Sequence, residues 1–356
     1  MSTSKLIDET ILNIDPLDEI SMSKARERQN TLTKPLGSLG RLEELSIKLA
    51  GIYADPKPVI TNKSVILAAG DHGVVAEGVS AYPQEVTPQM VQNFLSGGAG
   101  INVLARHVGA NITILDVGVA SDLPNHPLLK NVKVARGTQN IANGPAMTRD
   151  QAIKCLEIGI QAAEEQISEG ADLIAFGEMG IGNTTPSSAI TSVITKTDAR
   201  TTTGRGTGVD DDALDHKISI INKAIDTNQP IPTDGLDVLT KIGGLEIGAL
   251  AGAMLGTAAH NKPVIVDGFI SGAAALIAWT ICPNASLYFI ASHNSVEPGH
   301  NIGLSTMGLK PLFDLEMRLG EGTGATLAMP IIEAASKCLV EMATFAEAGV
   351  SGKEDD

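Results

Sequence analysis

Cysteine is scarce in this chain. Cys155, Cys282 and Cys338 stand far apart with no C-x-x-C pair, which fits neither a disulfide framework nor a zinc site of standard spacing and points to a reducing compartment. Aromatic residues are also few: one Trp, three Tyr and six Phe among 356 residues. That is too few to build the stacking platforms of a single-strand nucleic-acid reader. Positive charge is in the minority, with 26 Lys and Arg against 41 Asp and Glu, for a formal net charge of −15. This balance weighs against nucleic acid and anionic membrane as partners. No apolar stretch is long enough to span a bilayer, because Glu246, Asp267 or Pro283 interrupts each candidate, and the first turns carry Asp8 and Glu9 in place of an apolar leader. A soluble, cytoplasmic protein is expected.

What the chain does have is glycine, 37 residues of it, and a repeated design in which a short β-rich run meets a polar or Gly-rich turn and then a longer Ala-rich helical stretch. The runs cover residues 64–69, 112–117, 132–135, 173–176, 264–266 and 287–290. Right-handed βαβ crossovers between them predict an α/β fold, a mostly parallel, roughly six-stranded Rossmann-like sheet with flanking helices. Ligands of such sheets sit beyond the carboxyl ends of the strands. The residues arriving there are Asp71 and His72, Asp116, Arg136, Glu178, Asp267, and Ser292 with His293. A single Asp in such a place is as often a cap or turn former as a ligand; six positions in register point to a site. The charged start and the amphipathic segment 330–347 predict a small helical domain of residues 1–30 and 325–356 beside a large α/β domain of residues 31–324. The tail 351–356 is expected to fray.

Three Gly-rich turns carry the chemistry. GEMGIGNTT, residues 177–185, follows a strand and opens a helix, an arrangement that exposes backbone N–H groups to a phosphate. Asn183 stands where a Walker loop needs Lys, so a triphosphate is disfavoured and a monophosphate stays open. GRGTG, residues 204–208, offers Arg205 and more amides with Lys217 beyond; a surface loop is the equal alternative. LGEGTGA, residues 319–325, places one acid, Glu321, among glycines that allow close approach to a small ligand. HNSVEPGH, residues 293–300, invites a metal set with Asp71, His72 and Asp267, yet no H-E-x-x-H spacing supports it, and neither a G-x-S-x-G elbow nor a dinucleotide fingerprint is present. The Gly/Ala-rich stretch 242–259 reads as a core or dimer-interface helix, and Tyr82 and Met90 would ordinarily be core filler.

Taken together, KPLGSLGRLE from Lys34, DHGV from Asp71, ARGTQNIANGPAM from Ala135, GEMGIGNTTP, DGFISGAAAL from Asp267, SHNSVEPGH and MRLGEGTGA from Met317 resemble the nicotinate-nucleotide:dimethylbenzimidazole phosphoribosyltransferase family. The resemblance runs in order from about Lys34 to the C-terminal helix. It implies transfer of ribose 5-phosphate from nicotinate mononucleotide to an aromatic acceptor, giving the α-riboside of a cobamide nucleotide loop. It implies Glu321 as general base, Glu178 as a second catalytic carboxylate, and a ribose-phosphate seat made by Gly180, Gly182, Asn183, Thr184, Gly206 and Lys217. No cofactor and no metal are implied, and the working form is a homodimer or a heterodimer with a paralogous subunit.

The acceptor would rest against Tyr82, Met90, Met179 and Leu319. Well-known members carry Ser and Gln where this chain has Tyr82 and Met90, and Leu where it has Met179, so the wall is more apolar and resembles the branch that accepts phenol and p-cresol. Two other readings are a non-catalytic partner subunit and a metal-dependent hydrolase using Asp71, His72, Asp267 and His293.

Overall fold

The computed structural model describes residues 4–206 and 210–351; the Gly208 end of GRGTG and nearly all of the tail 351–356 lie outside them. Six parallel strands form one sheet: β1 (Lys63–Gly70), β2 (Ala110–Gly118), β3 (Leu129–Asn131), β4 (Leu173–Met179), β5 (Val264–Val266) and β6 (Phe289–Ala291), in the order β3-β2-β1-β4-β5-β6. The helices are α1 (Lys5–Leu12), α2 (Glu19–Thr31), α3 (Arg41–Tyr53), α4 (Val86–Leu95), α5 (Gly100–Val108), α6 (Arg149–Ser168), α7 (Thr184–Thr195), α8 (Ala199–Thr202), α9 (Asp211–Asn228), α10 (Gly235–Ile242), α11 (Leu245–Ala259), α12 (Phe269–Ile281), α13 (Pro298–Thr306), α14 (Thr323–Glu341) and α15 (Phe345–Ala348). None is long and apolar enough to cross a membrane among the described residues.

The strands read as unbroken apolar runs because both faces of the sheet are covered. Val65 and Leu67 of β1, with Ala175 and Ile265, pack on α3, α4, α5 and α14. Their neighbours Ile66 and Ala68, with Phe176 and Val264, pack on α6, α7, α10, α11 and α12. The Gly/Ala-rich segment is α11, and it lies in the core: a Cβ on Gly159 of α6 would meet the Ala249 carbonyl, and one on Gly252 the Leu156 backbone.

Three sequence expectations shift. The third strand is Leu129–Asn131 and not 132–135. Val132 and Val134 still donate to the Asp116 and Val117 carbonyls, but Lys133 reaches the Val119 and Ser121 carbonyls and draws the segment out of the ladder. The last strand begins at Phe289, because Pro283 initiates a 3₁₀ turn over Pro283–Tyr288. The C-terminal helix starts seven residues before Pro330, at Thr323, and carries that proline inside, giving up only the bond to the Thr326 carbonyl; a separate capping box at Thr344 opens α15.

The two ends of the chain meet. Ala25 of α2, Ala50 of α3 and Leu339 of α14 form a small cluster. The Arg28 guanidinium donates to the carbonyls of Leu339, Val340 and Met342, closing the end of α14. One side of α14 also covers the sheet through Ala328, Met329 and Ile332, while Ile7 of α1 packs on the α6–α11 side.

Candidate active site

The chain runs outward from β1 through β2 to β3, and outward from β4 through β5 to β6, so the switch point lies between β1 and β4. The two strands stay paired to Ala69 and Met179, and a crevice is expected where the connections that follow them diverge. A cleft of about 720 Å³ lies beyond the carboxyl ends of β4, β5 and β6, with Tyr82, Val86 and Met90 on its rim.

Glu178 is the penultimate residue of β4 and 7% exposed. Burial pushes its carboxyl up to about 8; Asn183 and the Glu321 backbone oppose that, and the charges of Glu246 and Asp267 add to it. The Asn183 side-chain amide donates to Glu178 Oε2. Next comes the turn Gly180–Asn183, in which Gly182 is left-handed (φ 89°), and then the amino end of α7. Thr184 Oγ1 accepts from Lys217 Nζ at 2.7 Å. Burial lowers the Lys217 ammonium to about 8 against the field of Glu297. Gly206 closes this corner, its N–H donating to Glu297 Oε1 at 3.0 Å.

Glu321 lies in the turn 319–322, where its backbone N–H donates to the Glu178 carboxyl. It is 5% exposed and adopts φ 59° between two left-handed glycines, Gly320 and Gly322. Its Oε2 accepts from the Ile101 N–H at the start of α5, 3.3 Å away. Burial raises its carboxyl, the Ile101 amide opposes, and Asp267 adds. Asp267 accepts from the Gly322 and Ala325 amides at 3.2 and 2.8 Å, fixing the turn and the first residues of α14. The glycines here make room for the cleft's own side chains: a Cβ on Gly320 would collide with the Glu178 carboxylate, and one on Gly324 with the His293 ring.

Of the catalytic, phosphate and acceptor residues singled out from the sequence, all line this cleft except Gly182, which turns toward Val75, and Lys217, which stands behind Thr184. Tyr82, Met90, Met179 and Leu319 form one wall, with Tyr82 and Leu319 more than half exposed at 53% and 60%. The other strand-end residues divide. Asp71 accepts from the Ala120 N–H, Asp116 accepts from the Val119 N–H and pairs with Lys133, and Arg136 holds Asp122 and the Ala120 carbonyl. These three tie down loops, as turn formers do. His72 pairs with Glu246, whereas His293 lies 4.0 Å from Asp267, so the four residues of the hydrolase reading do not converge. No group of three or more His, Cys, Asp or Glu is arranged to hold a metal among the described residues.

Two charged cleft residues escaped the sequence reading, Glu297 and Arg318. Pro298 at the first position of α13 was a usable signal for Glu297 as the residue preceding a helix; the histidines of the same segment drew attention away from it.

A parallel sheet in 3-2-1-4-5-6 order, with a Gly-rich phosphate-type turn and two carboxylates at its switch point, defines a nucleotide-handling α/β enzyme. A sequence profile described as phosphoribosyltransferase matches residues 14–350. The nicotinate-nucleotide–dimethylbenzimidazole phosphoribosyltransferase of Chloroflexus aggregans is 58% identical over 350 residues, covering 98% of this chain and 99% of that one. Its counterpart from Desulforamulus reducens is 55% identical over 97% of this chain and 99% of its own. The crystal structure of CobT from Thermus thermophilus superimposes with a TM-score of 0.91 at 47% identity, over 93% of this chain and 99% of that chain. The chain belongs to the nicotinate-nucleotide–dimethylbenzimidazole phosphoribosyltransferase family.

Proposed function

We propose that the cleft moves ribose 5-phosphate from nicotinate mononucleotide to an aromatic acceptor, and that phenolics such as p-cresol are accepted beside dimethylbenzimidazole. The observation that carries the reading is that Glu321 and Glu178 line one cleft, beside a turn and a buried lysine suited to a phosphate. The phosphate rests on the Gly180–Thr184 turn and Gly206, with Lys217 beneath. A bound dianion restores the charge that burial takes from that lysine.

The nicotinate ring leaves as a neutral pyridine, taking the electron pair of the C1′–N bond, so no general acid and no metal clamp are needed. The acceptor forms its bond to C1′ from the opposite face, which turns the β donor into an α product. Its ring N–H or phenolic O–H proton passes to Glu321 as attack proceeds; a phenol, with a pKa near 10, is not ionised beforehand. Positive charge developing on the ribose is met by Glu178. Burial keeps a proton on Glu178 up to about pH 8 in the empty cleft, and the cationic nucleotide favours its ionised form.

The apolar wall of Met90 and Met179 with the Tyr82 ring supports a phenolic acceptor. Purified protein is given nicotinate mononucleotide with p-cresol or with dimethylbenzimidazole, and the products are identified by mass and anomeric configuration. An α-O-riboside phosphate of p-cresol is expected. Product from dimethylbenzimidazole alone would sink the phenolic reading, and release of nicotinate with neither acceptor would sink the transfer itself.

A further inference from the structure

The proposed chemistry leaves the histidine of DHGV unused, yet it sits at the switch point. His72 follows β1, and its Nε2 lies 2.7 Å from Glu246 Oε1, with both side chains almost completely buried. Three glycines from three elements clear the slot that holds this pair. A Cβ on Gly70, at the end of β1, would stand 3.0 Å from Glu246 Oε2. One on Gly244, ahead of α11, would stand 2.6 Å from His72 Cε1. One on Gly180, in the turn after β4, would stand 3.2 Å from His72 Nε2.

A buried pair of this kind is a poor stability device, since apolar residues of similar volume hold a core as well or better. Here the pair is not even complete: His72 Nδ1 and Glu246 Oε2 have no hydrogen-bond partner. We infer that His72 and Glu246 are positioning residues for the transfer site, the imidazole bracing the Gly180 turn from below and the Glu246 charge setting the electrostatic floor under Glu178. The inference rests on the proposed function for the identity of the nucleotide, not for the pair itself.

The glutamate lies in the first turn of α11. His72, Cys155 and Glu178 are titratable groups on which it acts, and the Cys155 thiol is pushed up by burial and by that charge. Facing Glu178 are Asn183, Glu246, Asp267 and the Glu321 backbone. Asp267 is therefore the other carboxylate whose charge acts on Glu178, and it stays in place in both variants below.

The experiment compares Glu246→Gln and His72→Gln in the intact chain. The Glu178 carboxyl is titrated by ¹³C NMR, its signal assigned by loss in Glu178→Gln, and nicotinate mononucleotide binding is measured by calorimetry. Glu246→Gln keeps the shape and removes the charge, so the Glu178 midpoint moves down by about half a pH unit or more. His72→Gln keeps an N–H toward Glu246 but removes the ring under Gly180, so the midpoint does not fall while nucleotide Kd rises roughly fivefold or more. An unmoved midpoint in Glu246→Gln, or the same downward shift in both variants, overturns the inference. If Glu246→Gln does not fold, His72→Gln decides alone, an unchanged Kd being the overturning result. Wild-type chain that binds no nucleotide sinks the proposed function, while the NMR midpoints still judge the pair.

Discussion

Glu321 is a glutamate in a conformation that suits glycine, held there by an amide of α5 on one side and by the Asp267 clamp on the next residue. Left-handed backbone costs a non-glycine residue roughly 1–2 kcal/mol, so the position is spent on a carboxylate. Glu321→Gln is expected to lower turnover by roughly 10²-fold or more, the usual scale for loss of a general base, with little change in nucleotide affinity. Steady-state kinetics with either acceptor checks this, and an unchanged rate moves the base elsewhere.

Glu178 gives a pH signature of two opposite signs. Nucleotide consumption should rise as pH passes about 8 and its carboxyl ionises. Stability should fall over the interval from the unfolded value, about 4.3, up to about 8, because the folded chain there holds a proton the unfolded chain has released. Glu178→Gln should flatten both trends. Thermal melts at pH 5 and pH 8.5 read the second, and a wild-type Tm that does not fall relative to this variant would count against it. Both glutamates were conspicuous in the sequence because each is flanked by glycine, Glu178 by Gly177 and Glu321 by Gly320 and Gly322. Glu297 was not, because its role depends on Gly206, ninety-one positions away.

Strands β1, β2, β4 and β5 could be read from the sequence because a strand buried on both faces is an uninterrupted apolar run. The same signal misplaced β3: Val132, Val134 and Ala135 do pack against the core, so the run marked burial and not ladder pairing. The helix pair α6–α11 was legible only in part. Small residues announced close packing, but not that backbone meets backbone. Gly159→Ala forces a methyl onto the Ala249 carbonyl, where neither helix can give way cheaply, and a loss of about 1–3 kcal/mol is expected. Gly144→Ala, where nothing lies within 4 Å, serves as the control. Denaturant melts that put the two variants level would contradict this packing.

The wall proposed for the acceptor draws on the 80–85 loop, α4, the end of β4 and the 319–322 turn, so acceptor choice is a prediction at the scale of the whole molecule. No local window of sequence holds all four; the resemblance to known family members brought them together before the fold did. Replacing Tyr82 and Met90 together by Ser and Gln should move the ratio of kcat/KM toward dimethylbenzimidazole by roughly tenfold, the scale of a changed pocket contact. A ratio that stays put in this double variant would remove these two residues as determinants of acceptor choice.

The order of covering has its own consequence. α14 follows all six strands in the chain, yet it lies over Val65 and Ile265. A growing chain therefore carries the part of that face beneath α14 uncovered, beside the cover given by α3, α4 and α5, until this helix is made. Chains stopped short of Thr323 are expected to depend on chaperones in a way that full-length chains do not.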